Sequence, residues 1–583
     1  MKKLLAIFSV FAMAALLVAC GVTTTTTQTT ATTSSGTTTT TTTTQSTTTS
    51  LANIESDTGL DKNVSGIVDI VLWSGSGTTL RDIGNMNLTP DQLLAQNEAA
   101  AYAVAKAFNE IYPNVVINGY FKSGDPGGAW NQVLDTYRDD EGRYPSLWAS
   151  VDLGGDLSRG MVADLNRFAD DPLYQLLNPG VMSMMDYYGF QAGLPQYILP
   201  WGVYVNKSLA DANGIEVPGY DWHIDDYTDF TNHYSEDPNN QYYGAMDTPI
   251  HFLETGTTTM WQQLSQYSGG SSFVDMNSPQ VRSMIGYIAE WATSTFWTRY
   301  DLELQQIPDG TGPAATLITN VGWWGFHMFR QGKLLAYEGD PWMMGDCAET
   351  NPNWWAVCNI TDWDIYPRPA TDFQPTTIGL VLDPMAVYNF CLEDGDLACT
   401  EEEELKIQIA YTFAMFWIAD SRSFEARANQ LFYDAGSDGY SSALNDSMPV
   451  VTGQMFEDQM AYWYTPSKHQ RFNQKIDGEW LMPGFQEVLR IYEEGAFWDV
   501  SDKAFPWYYT FEGTRNLINY EWNNYWNPDN VGTSRTAPDY ESTVLSKLGD
   551  WNTVINQRWS DAWGRVRNGL MTYYGYSPSQ FPQ

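Results

Sequence analysis

The chain has 583 residues and a formal net charge of −40, with 70 acidic against 30 basic side chains. That balance argues against nucleic acid and anionic membrane surfaces as ligands, and the length suits two domains rather than one. Aromatic residues reach 14%, more than a core alone explains, and aromatic faces are what sugar sites use.

Lys2 and Lys3 open the chain, and Leu4 to Ala19 is an apolar run too short to span a bilayer, which is the pattern of a signal peptide over residues 1–19. It ends in Leu17-Val18-Ala19-Cys20-Gly21, which looks like a bacterial lipobox. Cleavage before Cys20 would leave a thiol to carry acyl chains. Each buried methylene adds roughly 0.8 kcal/mol, so two or three chains anchor a protein stably. The expected location is therefore the outer side of a cell membrane, through a lipid anchor. Residues 22–50 are nearly all Thr, Ser and Gln. They hold too little apolar surface to offset ordering entropy, so 20–64 is expected to be a lipidated, disordered stalk.

The folded body is expected from about residue 65. Ile67-Val68-Asp69-Ile70-Val71-Leu72-Trp73 is an apolar, β-branched run that predicts a buried strand. Thr89-Pro90-Asp91-Gln92 is a capping box with proline at the first helical position. Leu94, Ala101, Val104, Phe108 and Ile111 then recur at helical spacing until Pro113. Val115-Val116-Ile117 starts the next strand, giving a βαβ unit and a parallel sheet. Further strands are predicted at Leu147–Val151 and Val203–Asn206, and helices over Glu402–Trp417 and near Ser542–Arg567. Apart from Cys20, the cysteines fall into two close pairs, Cys347 with Cys358 and Cys391 with Cys399. In an oxidising compartment these are the expected disulfides.

Several motifs in order carry a resemblance. They are Ala107-Phe108-Asn109-Glu110-Ile111-Tyr112-Pro113, Pro145-Ser146-Leu147-Trp148 running on to Gly160-Met161-Val162-Ala163-Asp164-Leu165, and Gly193-Leu194-Pro195 followed by Trp201-Gly202-Val203-Tyr204-Val205-Asn206-Lys207. Phe329-Arg330-Gln331-Gly332-Lys333, Gly339-Asp340-Pro341-Trp342 and Tyr366-Pro367-Arg368-Pro369 complete the set. Over about residues 66–430 the chain resembles the extracellular solute-binding proteins of ABC importers, in the carbohydrate-binding group. It departs where the family has Ala-Met after Gly-Lys and this chain has Leu334-Leu335, and beyond about residue 450 no alignment is found.

The resemblance implies an α/β, two-lobed periplasmic-binding-protein-like fold of type II, with a hinge of crossing strands and a ligand cleft between lobes. The N-terminal lobe would hold residues 65–190 plus about 385–450, and the C-terminal lobe 191–384 plus about 451–583. A monomer that hands its ligand to permease subunits by hinge closure is expected. Sugars offer apolar faces and hydroxyl edges, so rings and carboxylates are the candidate contacts: Trp73, Trp148, Asp152, Tyr197, Trp201, Asp247, Trp261 and Trp342. A tryptophan is also an ordinary core residue, and in the doublets Trp323-Trp324 and Trp354-Trp355 at most one ring of each can face a single cleft.

Catalytic signatures are missing: there is no Gly-x-Ser-x-Gly elbow, His-Glu-x-x-His or Walker loop. No enzyme activity, cofactor or metal is expected. Asp434, Asp438 and Gly439 only faintly resemble a calcium loop. Two other readings stay open. Paired carboxylates would make a surface-anchored glycoside hydrolase, and the stalk would suit a glycan-binding adhesin.

Overall fold

The computed structural model describes residues 54–581, apart from 74–80, 123–129, 246–274, 294–324, 340–358, 505–530 and several shorter stretches. Strands are β1 (Gly66–Trp73), β2 (Arg81–Asp82), β3 (Val115–Lys122), β4 (Leu147–Ala149), β5 (Leu194–Val205), β6 (Ala336–Gly339), β7 (Asp364–Tyr366), β8 (Ile378–Val387) and β9 (Phe497–Asp499). Helices include α1 (Gln96–Asn109), α2 (Leu153–Ser158), α3 (Ile224–Thr231), α4 (Pro279–Thr293), α5 (Glu401–Ala419), α6 (Ser421–Asn429), α7 (Pro483–Glu494) and α8 (Tyr540–Tyr573).

The opening βαβ unit is present. β1 pairs parallel with β3 from Gly66 opposite Val115 to Trp73 opposite Lys122. Val68, Ile70, Val71 and Leu72 are buried on both faces, as a covered parallel strand requires. The helix between them starts later than its capping signal predicts. Thr89-Pro90-Asp91-Gln92 caps only a single 3₁₀ turn, Pro90–Gln92. Leu93 is then extended and fully buried, and its carbonyl accepts from Tyr433 N at 3.0 Å. That pairing breaks the helix, which begins afresh at Gln96. Phe108 near its end stacks on Tyr112 and meets Phe413 and Phe416 edge-on, joining α1 to α5. The α5 start is fixed by a capping box in which Thr400 Oγ1 accepts from Glu403 N and Glu403 accepts from Thr400 N. Four glutamates fill its first turn, where the helix dipole favours negative charge.

The strand order is β2-β3-β1-β4-β8-β5-β6, with β9 beside β8 and β7 beside β5. β5 is the key element. Leu194 to Trp201 pair antiparallel with β8, whereas Gly202 to Val205 pair with β6 and β7. One strand thus serves two sheet regions, the first built on β1, β3 and β4, the second on β6 and β7. The register slips between Asp383 and Pro384, and there Pro384 faces Pro195. Neither proline has an N–H to donate, so a bulge at this point costs the ladder nothing it had. The fold is α/β with two lobes: α1 and α5 cover the first sheet region, with α6 packed on α1, and α3, α4 and α7 belong to the second.

The C-terminal helix exceeds its predicted span and joins both lobes. α8 has 34 residues, about 51 Å of helix at 1.5 Å per residue. It packs on α4 of the second lobe and on α2 of the first. A Cβ at Gly569 would lie 2.6 Å from Ser158 Cα, so glycine there permits the close helix contact. Tyr574 Oη donates to Val162 O at 2.7 Å. Among the described residues no helix is long and apolar enough to cross a membrane. The disulfide Cys391–Cys399 is formed, with Cα atoms 4.4 Å apart. Cys347 and Cys358 lie outside the described residues, as do Cys20, the expected stalk as far as residue 53 and both tryptophan doublets. Residues 54–64, expected to be disordered stalk, are instead held on the body, where Ser56 Oγ donates to Asp171 at 2.6 Å and the Thr58 and Thr412 hydroxyls pair at 3.0 Å.

Candidate functional site

Open α/β sheets bind ligands beyond the carboxyl ends of their strands. In this chain β1, β3 and β4 run parallel, so they end together at Trp73, Lys122 and Ala149. β8 runs antiparallel, with Met385 opposite Ala149. This brings Asp383, beyond the bulge, to the same edge. Its register partner on β5 is Tyr197.

The turn after β4 is the best defined part of this edge. Asp152 caps α2, its Oδ1 accepting from Gly155 N at 3.0 Å. A Cβ at Gly155 would come 2.1 Å from Asp152 Oδ2, so only glycine lets the carboxylate close over the helix start. One turn on, Asp156 Oδ2 accepts from Trp148 Nε1 at 2.8 Å and from Ser150 Oγ at 2.7 Å. Its Oδ1 accepts from Arg159 Nη2 at 2.5 Å. Burial, with the nearby Asp156 charge second, holds the Asp152 carboxyl well above the usual range. The Gly155 N–H, Arg159 and Arg565 of α8 act the other way. Lys503 ties the edge together. Its ammonium pairs with Asp383, and its carbonyl accepts from Leu153 N at 3.0 Å.

The predicted contacts separate into three groups. Trp148 and Asp152 are brought together, but inside the lobe. Trp148 has no exposed surface and Asp152 only 3%. This corrects the expectation that the Trp148 ring presents a face to ligand. β4 lies between β1 and β8, and a central strand has neighbours on both edges and layers on both faces. Tyr197 is likewise buried, edge-on to Trp417 at 6.5 Å, and burial raises its phenol. Trp201 is different: it is half-buried, on β5 opposite Gly379, one residue before the strand passes to the second sheet region. Trp73 ends β1, but its side chain, with all of Asp247, Trp261 and Trp342, lies outside the described residues.

Residue-by-residue reading of the sequence missed Ser150, Asp156, Asp383 and Lys503. A signal for Asp156 was present. Asp152 and Asp156 stand four apart across Gly154-Gly155, the spacing that stacks two side chains on one helix face. Nothing local marks Lys503, which meets Asp383 across 120 residues. The loop tip holding Asp438 lies outside the described residues, on a hairpin of Leu431–Asp434 and Gly439–Ser442. Among the described residues Cys391, Cys399 and Glu404 bring possible ligand atoms together, but the two sulfurs are bonded to each other.

No protein-family model matches the sequence, and no curated protein matches it. Solved structures similar to the chain include an ABC substrate-binding protein from Listeria monocytogenes in complex with cycloalternan. It is 14% identical, with 84% of this chain and 99% of that one covered and a TM-score of 0.48. A sugar transporter protein from Rhizobium etli in an open conformation is 12% identical, covering 87% and 99%, with a TM-score of 0.48. An ABC transporter solute-binding protein from Thermotoga lettingae bound with α-D-tagatose is 13% identical, covering 84% and 100%, with a TM-score of 0.47.

Proposed function

We propose that the chain is an extracellular solute-binding lipoprotein that captures a neutral oligosaccharide and delivers it to an ABC importer. Cys20 carries the lipid, the Thr-rich segment is the stalk, and the body works as a monomer beside the permease subunits. The ligand enters between the lobes at the carboxyl edge of the first sheet region. Trp73, Trp201, Asp247, Trp261 and Trp342 are its proposed contacts, with Asp152 and Asp156 holding the floor.

The observation that carries this reading is the division of β5. Leu194–Trp201 belong to one sheet region and Gly202–Val205 to the other, so rotation about the crossing between β5 and β8 moves the lobes as units. A ligand touching both would favour the closed arrangement by its differential affinity for it. The proposed lobes are 65–190 with about 385–450, and 191–384 with the chain beyond about 451, except that Leu194–Trp201 and Gly379–Pro384 stand in the first sheet region; α8 reaches back to the first lobe.

Tryptophan fluorescence of the purified protein, titrated with a panel of neutral oligosaccharides, tests the reading. A saturable change with at least one of them is expected. Release of sugars from a polysaccharide would instead indicate a glycoside hydrolase. Binding to cell or cell-wall surfaces with no soluble glycan ligand would indicate an adhesin.

A further inference from the structure

A cavity of about 610 Å³ opens on the first lobe beside α8. This lies within the roughly 300–1,000 Å³ usual for small-molecule sites. Its floor is apolar: Leu177, Met182 and Trp563 are all buried. Tyr174 and Tyr188 line it and are half-buried. Gln175, Ser183 and Asp186 supply amide, hydroxyl and carboxylate around them. Among the described lining residues there is no lysine or arginine. Such a site has nothing to neutralise an anion, but it offers ring faces and planar acceptors.

Tyr188 shows that one of the rings is placed against local preference. The hairpin of Asp186–Tyr187 with Phe190–Gln191 is closed by Tyr188-Gly189, with φ of 60° and 83°. A two-residue turn with both φ positive is the one that asparagine-glycine fills best, and a bulky residue at its first position is an outlier. The Tyr188 ring is then fixed from two sides, edge-on to Trp563 at 5.2 Å and to Phe581 at 5.0 Å. Asp186 Oδ1 accepts from Gly189 N at 2.8 Å, holding the turn closed. Strained backbone that aims a side chain into a cavity is a recognised mark of a working site. The C-terminal helix, which no motif in the sequence announces as functional, supplies the floor.

We propose that this cavity is a second carbohydrate site, which holds a neutral sugar ring against Tyr174 and Tyr188, with its hydroxyls on Asp186 and Gln175. It is independent of the cleft between the lobes and does not require that cleft to bind sugar. A site of this kind would hold a distant part of a long glycan, or a surface polysaccharide, near the cleft mouth.

The test uses full-length protein labelled with 5-fluorotryptophan, with the Trp563 resonance assigned through Trp563→Phe. Maltotetraose, cellotetraose and mannotriose are the probes, at millimolar concentration. At least one probe is expected to move the Trp563 resonance in the wild type. Ala169→Arg places a long side chain on the exposed rim and disturbs no core. It should weaken that response at least tenfold, as should Tyr188→Asn, which keeps a turn-favouring residue. Probes that shift other tryptophans but leave Trp563 unmoved would overturn the second site and leave the cleft reading standing. A Trp563 response that persists unchanged in Ala169→Arg would also overturn it. A Trp563 response lost in Ala169→Arg, with every other tryptophan silent, would support this site and count against the cleft.

Discussion

Two places in the first lobe combine an aromatic ring with an aspartate, and they are built in opposite ways. At the end of β4, Trp148 is wholly buried and its N–H is held by Asp156, which also takes Ser150 and Arg159. At the hairpin of residues 186–191, Tyr188 is half-buried beside Asp186 and lines an open cavity. The first ring sits on a central strand, in unstrained backbone, with its polar atom satisfied. The second sits in a turn that disfavours it. Ring and carboxylate together therefore do not mark a sugar site. What separates them is whether the ring keeps a face towards solvent, and whether the backbone carries strain to put it there.

Four variants separate the two places. Trp148→Ala should show the largest effect, about 4 kcal/mol lost, as for large aromatic side chains removed from a core. Urea denaturation would check it, and a loss near zero would return Trp148 to the list of ligand contacts. Asp156→Asn should cost about 2 kcal/mol, because buried donors lose a charged acceptor. The same denaturation series reads it.

Asp152→Asn should act through pH. In the folded protein the Asp152 carboxyl is held above its ordinary value by burial and by Asp156. The native state therefore binds that proton more tightly than the unfolded chain. Wild-type stability from this group falls as pH rises from the unfolded value through the folded one. The variant has no such proton, so its stability relative to wild type should climb between pH 4 and pH 7, measured as the shift in urea midpoint. A relative stability that fell over that range would show Asp152 to be stabilised as an anion. The smallest effect belongs to Tyr188→Asn. Relief of left-handed strain, roughly 1–2 kcal/mol, offsets lost ring contacts of about 1 kcal/mol, leaving stability within about 1 kcal/mol of wild type while sugar binding at the cavity falls. A melting temperature well below wild type would instead mark the Tyr188 ring as a structural clamp for α8.

How far the sequence could be read follows from how local each signal is. Strand β1, strand β3 and helix α5 were legible because their patterns lie within about one element: β-branched apolar runs for the strands, and helical spacing over Glu402–Trp417 for the helix. The start of α1 was not, since a backbone hydrogen bond from Tyr433, far along the chain, keeps Leu93 extended. Residues Val203–Asn206 read as a strand, but the eight residues before Gly202 that make β5 a crossing element include Pro195 and Pro200, which argue against a strand until the bulge explains one of them. Among the candidate contacts, residue type alone favoured tryptophans. It could not reveal that Trp148 faces inward, because burial is set by β1 and β8 on either side. Nor could it reveal Lys503 or Trp563, whose partners are distant in the chain. The long C-terminal helix was legible as a helix, but its grip on both lobes was not.

In the proposed function a bound sugar brings the two lobes together about β5 and β8. Small-angle X-ray scattering of the full-length protein tests this directly, recorded without sugar and then saturated with the oligosaccharide that gives the strongest fluorescence response. A smaller radius of gyration is expected in the saturated sample. A tightly bound oligosaccharide that leaves the radius of gyration unchanged would contradict lobe closure.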